Sequence, residues 1–205
     1  MNSEVLRLKT LLGDHPHVQA LKKGQIGSHR LVLDLADVKT AFPEFKRVVR
    51  AMEFDVAELA LVTYLQARTH GVPLVLVPAV ILASDAPHVF IVYNAERGQL
   101  GPNDILGRRV GIRASSVTTV MWVRGILQND YGVDLGRVHW VTFEEPHVAG
   151  VTEPPNARRA PPGKTLLTML LEGELDAAVV SREEVKDARL RPLIPEPEAA
   201  ALAWR

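Results

Sequence analysis

The chain has 205 residues, of which 47% are hydrophobic and 23% charged, as is usual for a globular protein with a sizeable core. Lysine plus arginine and aspartate plus glutamate both total 24, so the chain carries no net charge that would attract nucleic acid or an anionic membrane surface. It contains no cysteine, which excludes disulfides, thiolate metal sites and a catalytic thiol.

The apolar segments predict a protein without membrane insertion. The longest apolar run, residues 72–83, is too short to span a bilayer and contains two prolines. Residues 1–17 carry charged side chains and lack the apolar centre of a secretory signal peptide. We therefore expect a cytoplasmic protein, or a periplasmic one only if an export signal has been removed.

The first half of the chain alternates strand-like and helix-like segments. Period-two hydrophobicity predicts half-buried strands, and proline and glycine at segment ends predict where helices begin and end. In chain order these segments are a strand at 6–12, a helix at 16–23, a strand at 29–38, a helix at 43–52, a strand running into a helix at 54–71, and buried strands at 72–82 and 88–94. Turn residues at 96–104 then mark a domain boundary.

The second half repeats this alternation. Its predicted segments are a strand at 108–113, a helix at 118–130, a strand at 137–143, a loop with five prolines at 144–163, a helix at 164–173 and a buried strand at 175–180. Such a pattern predicts an α/β protein with two lobes, residues 1–97 and 98–205, each a mostly parallel sheet flanked by helices. Ligands of such sheets bind beyond the carboxyl ends of the strands.

One of these strand ends carries an excess of hydroxyl groups, which we call the hydroxyl loop (residues 115–119). Its hydroxyl residues are Ser115, Ser116, Thr118 and Thr119. The start of a helix offers unpaired N–H groups and partial positive charge, and Arg113 would add full charge, so the loop suits a carboxylate or phosphate. The alternative is that Ser116 or Thr118 only caps the helix, although a cap needs one hydroxyl and not four.

A second candidate is the loop after the first strand, which contains Asp14, His15 and His17. These side chains can transfer protons, bind a hydroxyl group or share a metal ion. The alternative is that Asp14 caps the helix beginning at Pro16 while both histidines are solvated. A His-x-His pair is a weak metal signal by itself.

Polar residues also lie at the ends of three other predicted strands. Glu58, Thr63 and Tyr64 follow the short strand near residue 54, although Glu58 also suits the first turn of a helix. The segment after the strand at 137–143 adds Glu144, Glu145 and His147, for which a solvated loop is the default interpretation. Asp176 begins a buried strand, where an unpaired charge is costly, so we expect a partner or a hinge role for it.

Several segments closely resemble the 4,5-dihydroxyphthalate decarboxylase family, and together they cover nearly the whole chain. The matching segments are GRRVGIRASSVTTVMWVRGILQNDYGVDLGRVHWVTFEEPH, EFDVAELALVTYLQAR, GKTLLTMLLEGELDAAVV and LLGDHPHVQAL. The resemblance implies the type II periplasmic-binding-protein fold, in which two lobes enclose a ligand in a cleft. Since members of that family continue well past Arg205, we expect a chain truncated at its C-terminus, lacking the segment that returns to the first lobe.

The resemblance also implies site residues, position by position. They are Asp14, Glu58 and Tyr64 in the first lobe, and Thr118, Thr119, Trp122 and Arg124 in the second. The sequence DHPH stands where the family has an aromatic residue and a second acid, and RASSVTT also departs from the family pattern.

Two functions fit the resemblance. The first is a carboxy-lyase of aromatic catabolism that releases CO2 from an aromatic acid. In it the hydroxyl loop and Arg113 would hold the carboxylate, and His15, His17 or His147 would transfer protons, oriented by Asp14 or Glu58. The alternative is a substrate-binding protein of an ABC-type transporter, which binds the same small carboxylate without chemistry. No organic cofactor is implied; a divalent metal and a homo-oligomer both stay open.

Overall fold

The computed structural model describes residues 5–80 and 86–204. The chain divides into two compact units, Met1–Ala83 with His147–Gly150, and Ser84–Pro146 with Val151–Arg205. Both units are mixed α/β structures with parallel strands and flanking helices. The type II periplasmic-binding-protein fold and its cleft stay predictions.

The first unit is built on a three-stranded parallel sheet in the order β2-β1-β3. The strands are β1 (Leu6–Leu11), β2 (Leu31–Leu35) and β3 (Val56–Ala57). Its helices are α1 (Gln19–Lys22), α2 (Phe45–Ala51) and α3 (Leu61–Thr69). Short 3-10 turns at Pro16–Val18 and Phe42–Glu44 lead into α1 and α2. The alternation of hydrophobic residues therefore predicted β1 and β2 correctly.

The second unit is built on a six-stranded mixed sheet in the order β7-β6-β5-β8-β4-β9. Its strands are β4 (Ile91–Asn94), β5 (Arg109–Ile112), β6 (His139–Thr142), β7 (Ala157–Arg159), β8 (Ala177–Val179) and β9 (Leu190–Pro192). The four strands from β7 to β8 are parallel, whereas β4 runs antiparallel to both of its neighbours. Although β4 belongs to this sheet, the lobe boundary predicted at residues 97 and 98 stays a prediction.

The helices of the second unit pack apolar side chains on both faces of this sheet. They are α4 (Thr118–Asn129), α5 (Leu166–Glu172) and α6 (Pro197–Ala203). Successive residues of a strand point to opposite faces, so Ile91 joins the apolar layer of α4 and Val92 joins that of α5. Residues on α4 that are buried lie three or four positions apart, as an amphipathic helix requires, and are Val120, Val123, Ile126 and Leu127.

Two predicted segments differ from the structure. A buried strand was expected at 72–82, but residues 72–80 do not form a strand. Val75 is 87% exposed and Val80 is 83% exposed. Residues 81 and 82 lie outside the described residues. The loop expected at 144–163 contains β7, which pairs in parallel with β6. In the described ranges, no helix is both long enough and apolar enough to cross a membrane.

Candidate functional site

The hydroxyl loop joins β5 to α4 without capping the helix. The N-cap residue of α4 is Val117, in extended conformation, and Val117 makes no side-chain capping hydrogen bond. The interpretation of Ser116 or Thr118 as a simple cap is therefore wrong. Ser115 and Ser116 are buried, whereas Thr118 and Thr119 are half-buried in the first turn of α4. The first-turn N–H groups of α4 thus lie beside hydroxyl groups that do not serve as the N-cap of the helix.

A carboxylate from a distant part of the chain lies at this loop. Glu153 Oε1 accepts a hydrogen bond of 3.4 Å from the backbone N–H of Ser115. Within the described residues, Glu153 Oε2, Ser116 Oγ and Arg124 Nε are buried without a hydrogen-bond partner. Sequence reasoning missed Glu153, because no linear pattern places an acid of a proline-rich segment against a loop 38 positions earlier.

Arg124 lies on α4 in a partly buried position. Its guanidinium carbon is 5.3 Å from the centre of the Trp140 ring, which is a cation–π contact. Burial lowers the pKa of Arg124, and the negative charge of Glu153 partly opposes this change. Arg124 was implied as a binding residue, and its placement in the same unit as the hydroxyl loop is compatible with that role.

Arg113 has a carboxylate partner at the end of the neighbouring strand. Its Nε donates to Glu144 Oε1 at 2.7 Å and its second terminal nitrogen donates to Glu144 Oε2 at 3.0 Å. This fork-like pairing follows from the parallel alignment of β5 with β6, which brings both strand ends together. A role for Arg113 in anion binding stays a prediction, since Glu144 already offsets its charge.

Trp122 lies on α4 but contacts an aromatic residue beyond α6. Its ring centre is 5.4 Å from that of Trp204 in an edge-to-face arrangement, and Trp204 makes a similar contact with His88. Trp122 is 47% exposed. The structure therefore gives Trp122 a packing partner, and its role in substrate binding stays a prediction.

In the first unit, His15 and Glu58 form a hydrogen-bonded pair at the carboxyl ends of β1 and β3. His15 Nε2 lies 3.1 Å from Glu58 Oε1 and 3.0 Å from Oε2. The backbone N–H of Gly13 also donates to Glu58 Oε2 at 3.1 Å, which fixes the carboxylate. Both side chains are mostly buried, at 17% and 13% exposure. The structure thus joins two residues that the sequence had suggested separately.

The other polar residues of this loop have different partners. Asp14 forms an ion pair with Lys22. His15, and not Asp14, is the N-cap residue of the turn Pro16–Val18, and it makes no side-chain cap, so the capping interpretation of Asp14 is wrong. The ring of His17 stacks on that of His15, with ring centres 5.5 Å apart and an interplanar angle of 5°.

His147 is held in the first unit and is nearly inaccessible. Its Nδ1 lies 2.8 Å from Thr63 Oγ1, and its ring packs edge-on against Phe45 at 5.5 Å. Its exposure is 5%, so the interpretation of His147 as part of a solvated loop is wrong. Tyr64 follows Thr63 on α3 and is half-buried, and its binding role stays a prediction.

Asp176 has the partners expected of a charge at the start of a buried strand. It accepts hydrogen bonds from the backbone N–H of Arg109 at 3.0 Å and from Arg108 at 3.3 Å. The expectation of a partner is confirmed. Over residues 5–80 and 86–204, the structure contains no group of three His, Cys, Asp or Glu side chains arranged to hold a metal ion.

Comparison with known proteins found two curated relatives of similar kind. No protein-family model matches the chain. Over 97% of its length the chain is 29% identical to a 4,5-dihydroxyphthalate decarboxylase of Comamonas testosteroni, and equally to one of Pseudomonas putida. It spans 63% of the length of the first protein and 81% of the second. The chain is thus similar, along nearly all of its length, to two 4,5-dihydroxyphthalate decarboxylases.

Proposed function

We propose that the chain forms part of a decarboxylase that releases CO2 from a small aromatic acid of the 4,5-dihydroxyphthalate type. The observation that carries this proposal is the hydroxyl loop, whose side chains lie at the start of α4 without capping it. The similarity to two decarboxylases along 97% of the chain supports the reaction class.

The hydroxyl loop would bind the carboxylate of the acid. The first turn of a helix presents N–H groups without intrahelical partners, and the helix dipole adds partial positive charge there. Thr118 and Thr119 add hydroxyl donors in that turn. The N–H and hydroxyl groups are hydrogen-bond donors, and the negatively charged oxygen atoms of a carboxylate are acceptors, so the two are complementary.

The pair formed by His15 and Glu58 would transfer the protons. An ionised Glu58 can only accept a hydrogen bond, so a proton of the His15 ring would lie on Nε2 and the basic lone pair would lie on Nδ1. Removing the proton of a ring hydroxyl sends an electron pair into the ring, toward the carbon that bears the carboxylate. That carbon then takes up a proton, and its bond to the carboxylate breaks as CO2 leaves. The electron pair of the broken bond restores the aromatic ring and leaves the negative charge on the ring oxygen. That oxygen then takes back a proton, so the net reaction consumes one proton.

The proposal is tested by incubating the chain with 4,5-dihydroxyphthalate and measuring both CO2 release and the monocarboxylic product. Replacing His15 with Gln should lower kcat by roughly 100-fold or more, since proton transfer by a placed side chain contributes this much. His29→Gln, at an exposed histidine of the same unit, is the matched control and should leave kcat unchanged. Activity lost with EDTA would add a divalent metal to the site.

The double variant Thr118→Val with Thr119→Val separates binding from chemistry. It should raise KM about tenfold or more through the loss of hydroxyl donors, whereas Thr40→Val, at an exposed threonine, should not. Binding of the acid without any CO2 release would instead support a transporter-type binding protein. Full turnover by the His15 variant would rule out this residue as the proton-transfer group.

A further inference from the structure

Three buried polar atoms of the second unit lie in the hydroxyl loop, in α4 and in the segment that carries Glu153. In the described parts of the chain, Ser116 Oγ, Arg124 Nε and Glu153 Oε2 are all enclosed and make no hydrogen bond. The 3.4 Å hydrogen bond from Ser115 N–H to Glu153 Oε1 places the carboxylate at the hydroxyl loop, on the residue before Ser116. Glu153 is also near enough to Arg124 for its charge to raise the pKa of the guanidinium, against the larger effect of burial.

Buried polar groups are costly without partners, and native proteins rarely leave several of them together. Each of the three atoms lacks a hydrogen-bond partner of a specific kind. Glu153 Oε2 needs a donor, Arg124 Nε needs an acceptor, and Ser116 Oγ can donate to an acceptor. A hydroxyl group offers one O–H donor and two lone pairs, which is the complementary set.

We infer that Ser116, Arg124 and Glu153 form a subsite for a hydroxyl group of the acid that binds at the hydroxyl loop, so that Glu153 determines ligand specificity. This inference rests on the proposed function. The hydroxyl group of the ligand donates a hydrogen bond to Glu153. The oxygen of the same hydroxyl group accepts hydrogen bonds from Arg124 Nε and Ser116 Oγ. The ligand class is then a hydroxylated carboxylic acid and not a simple carboxylate.

Glu153 also disfavours the wrong ligands. An acid without a hydroxyl group would leave the carboxylate buried and unpaired beside the charge of the bound ligand, and a site built for a hydroxyl rejects analogues that lack it. Glu153 lies between β6 and β7, where residues 143–156 form neither helix nor strand. The inferred subsite requires a shift of this segment, because the three atoms are closed to water in the structure.

Calorimetric titration of the chain with two acids tests the subsite. The acids are 4,5-dihydroxyphthalate and phthalate, which differ only in the two hydroxyl groups. The wild-type chain should bind the dihydroxy acid at least about tenfold more tightly, as expected for a buried hydrogen bond to a charged group. Glu153→Gln should remove most of this preference by weakening the dihydroxy acid. Glu183→Gln, at a side chain that is 80% exposed, is the matched control and should keep it.

Each other outcome is decisive. If Glu153→Gln tightens both acids equally, Glu153 is only a competing anion, and the inference is overturned. An unchanged preference in Glu153→Gln, or equal binding of both acids by the wild type, overturns the inference but leaves the proposed function intact. Binding of neither acid by the wild type overturns both. Ser116→Ala, which keeps all charges, should reduce the preference by a smaller factor, and an unchanged preference removes Ser116 from the subsite.

Discussion

At the level of single residues, Glu53 joins the end of α2 to β1 through two cations. Its carboxylate accepts from Arg47 at 2.5 and 2.6 Å and from Lys9 at 2.7 Å. The same two cations lie over the ring of Phe54. Arg47 first, and Lys9 after it, lower the pKa of Glu53 from 4.5 to about 2. This group of charges therefore stabilises the first unit only while Glu53 is ionised.

Replacing Glu53 with Gln should make the stability of the first unit less dependent on pH. Because the pKa of Glu53 is lower in the folded chain, its stabilising effect is complete above pH 4.5 and disappears as the pH falls toward 2. The variant should be less stable than the wild type at pH 7, and the difference should shrink below pH 4.5. Urea unfolding at several pH values measures this, and 1 M salt should reduce the difference by screening. A constant difference from pH 7 to pH 2 would contradict the assignment.

Some of the candidate site residues could be predicted from the sequence, and others could not. His15 and Glu58 could be predicted as candidates because each follows a strand, and parallel strands end at the same edge. Their direct hydrogen bond could not be predicted, since it depends on the register of β1 with β3. Glu153 could not be found at all, because the path of its loop is set by tertiary packing and leaves no periodic signal.

At the level of elements, β5 fits closely against the layer of α5 because of one glycine. A Cβ atom at Gly111 would lie 2.6 Å from Leu175 Cδ1 and 3.4 Å from Ala178 Cβ. Val110 and Ile112, on either side, join the opposite apolar layer. The absence of a side chain at position 111 thus allows Leu175 to pack directly on the strand.

Gly111→Ala should destabilise the second unit by about 1–3 kcal/mol through overpacking. Gly125→Ala is the matched control, because a Cβ there meets no atom within 4 Å and lies in the interior of α4. That control should stabilise the unit by about 0.5–1 kcal/mol, since alanine favours helix over glycine. Urea unfolding followed by tryptophan fluorescence measures both changes. Equal effects of the two substitutions would show that the contact with Leu175 does not matter.

The elements were predictable where a local pattern is strong. Period-two hydrophobicity predicted β1 and β2, and the apolar segment at 118–130 was predicted as the helix that the structure shows as α4. The same reasoning failed for β7 and β9, whose sequences Ala-Arg-Arg and Leu-Arg-Pro contain no apolar run. It also failed for residues 72–80, whose apolar composition is typical of a buried strand although Val75 and Val80 are exposed. The antiparallel direction of β4 leaves no trace in composition.

At the level of the whole molecule, the charges of the chain balance. It has 24 basic and 24 acidic residues and seven histidines, so its net charge depends strongly on pH below neutrality. Large apolar side chains are also exposed, among them Leu76, Val77 and Leu202. A protein without net charge repels its own copies weakly, which favours association through such side chains.

The solubility of the chain should therefore be higher at pH 5.5 than at pH 7. Protonation of the histidines gives the molecule a positive net charge at the lower pH. Burial lowers the pKa of His88, so that residue becomes charged only at a lower pH. Precipitation with polyethylene glycol at both pH values measures the change. Equal solubility would mean that the exposed apolar residues, and not the charge balance, control association.

The pairing of β4 with β9 has a consequence for how the second unit folds. Val92 lies opposite Pro192, so the first and last strands of this sheet are neighbours although nearly the whole unit separates them in the chain. Closing so long a loop has a large entropic cost, which is offset only after the intervening strands have assembled. We therefore expect β9 to dock late, as the closing step of a single cooperative transition. Because the chain enters and leaves the sheet side by side, the unit also has the geometry of a module that tolerates circular permutation.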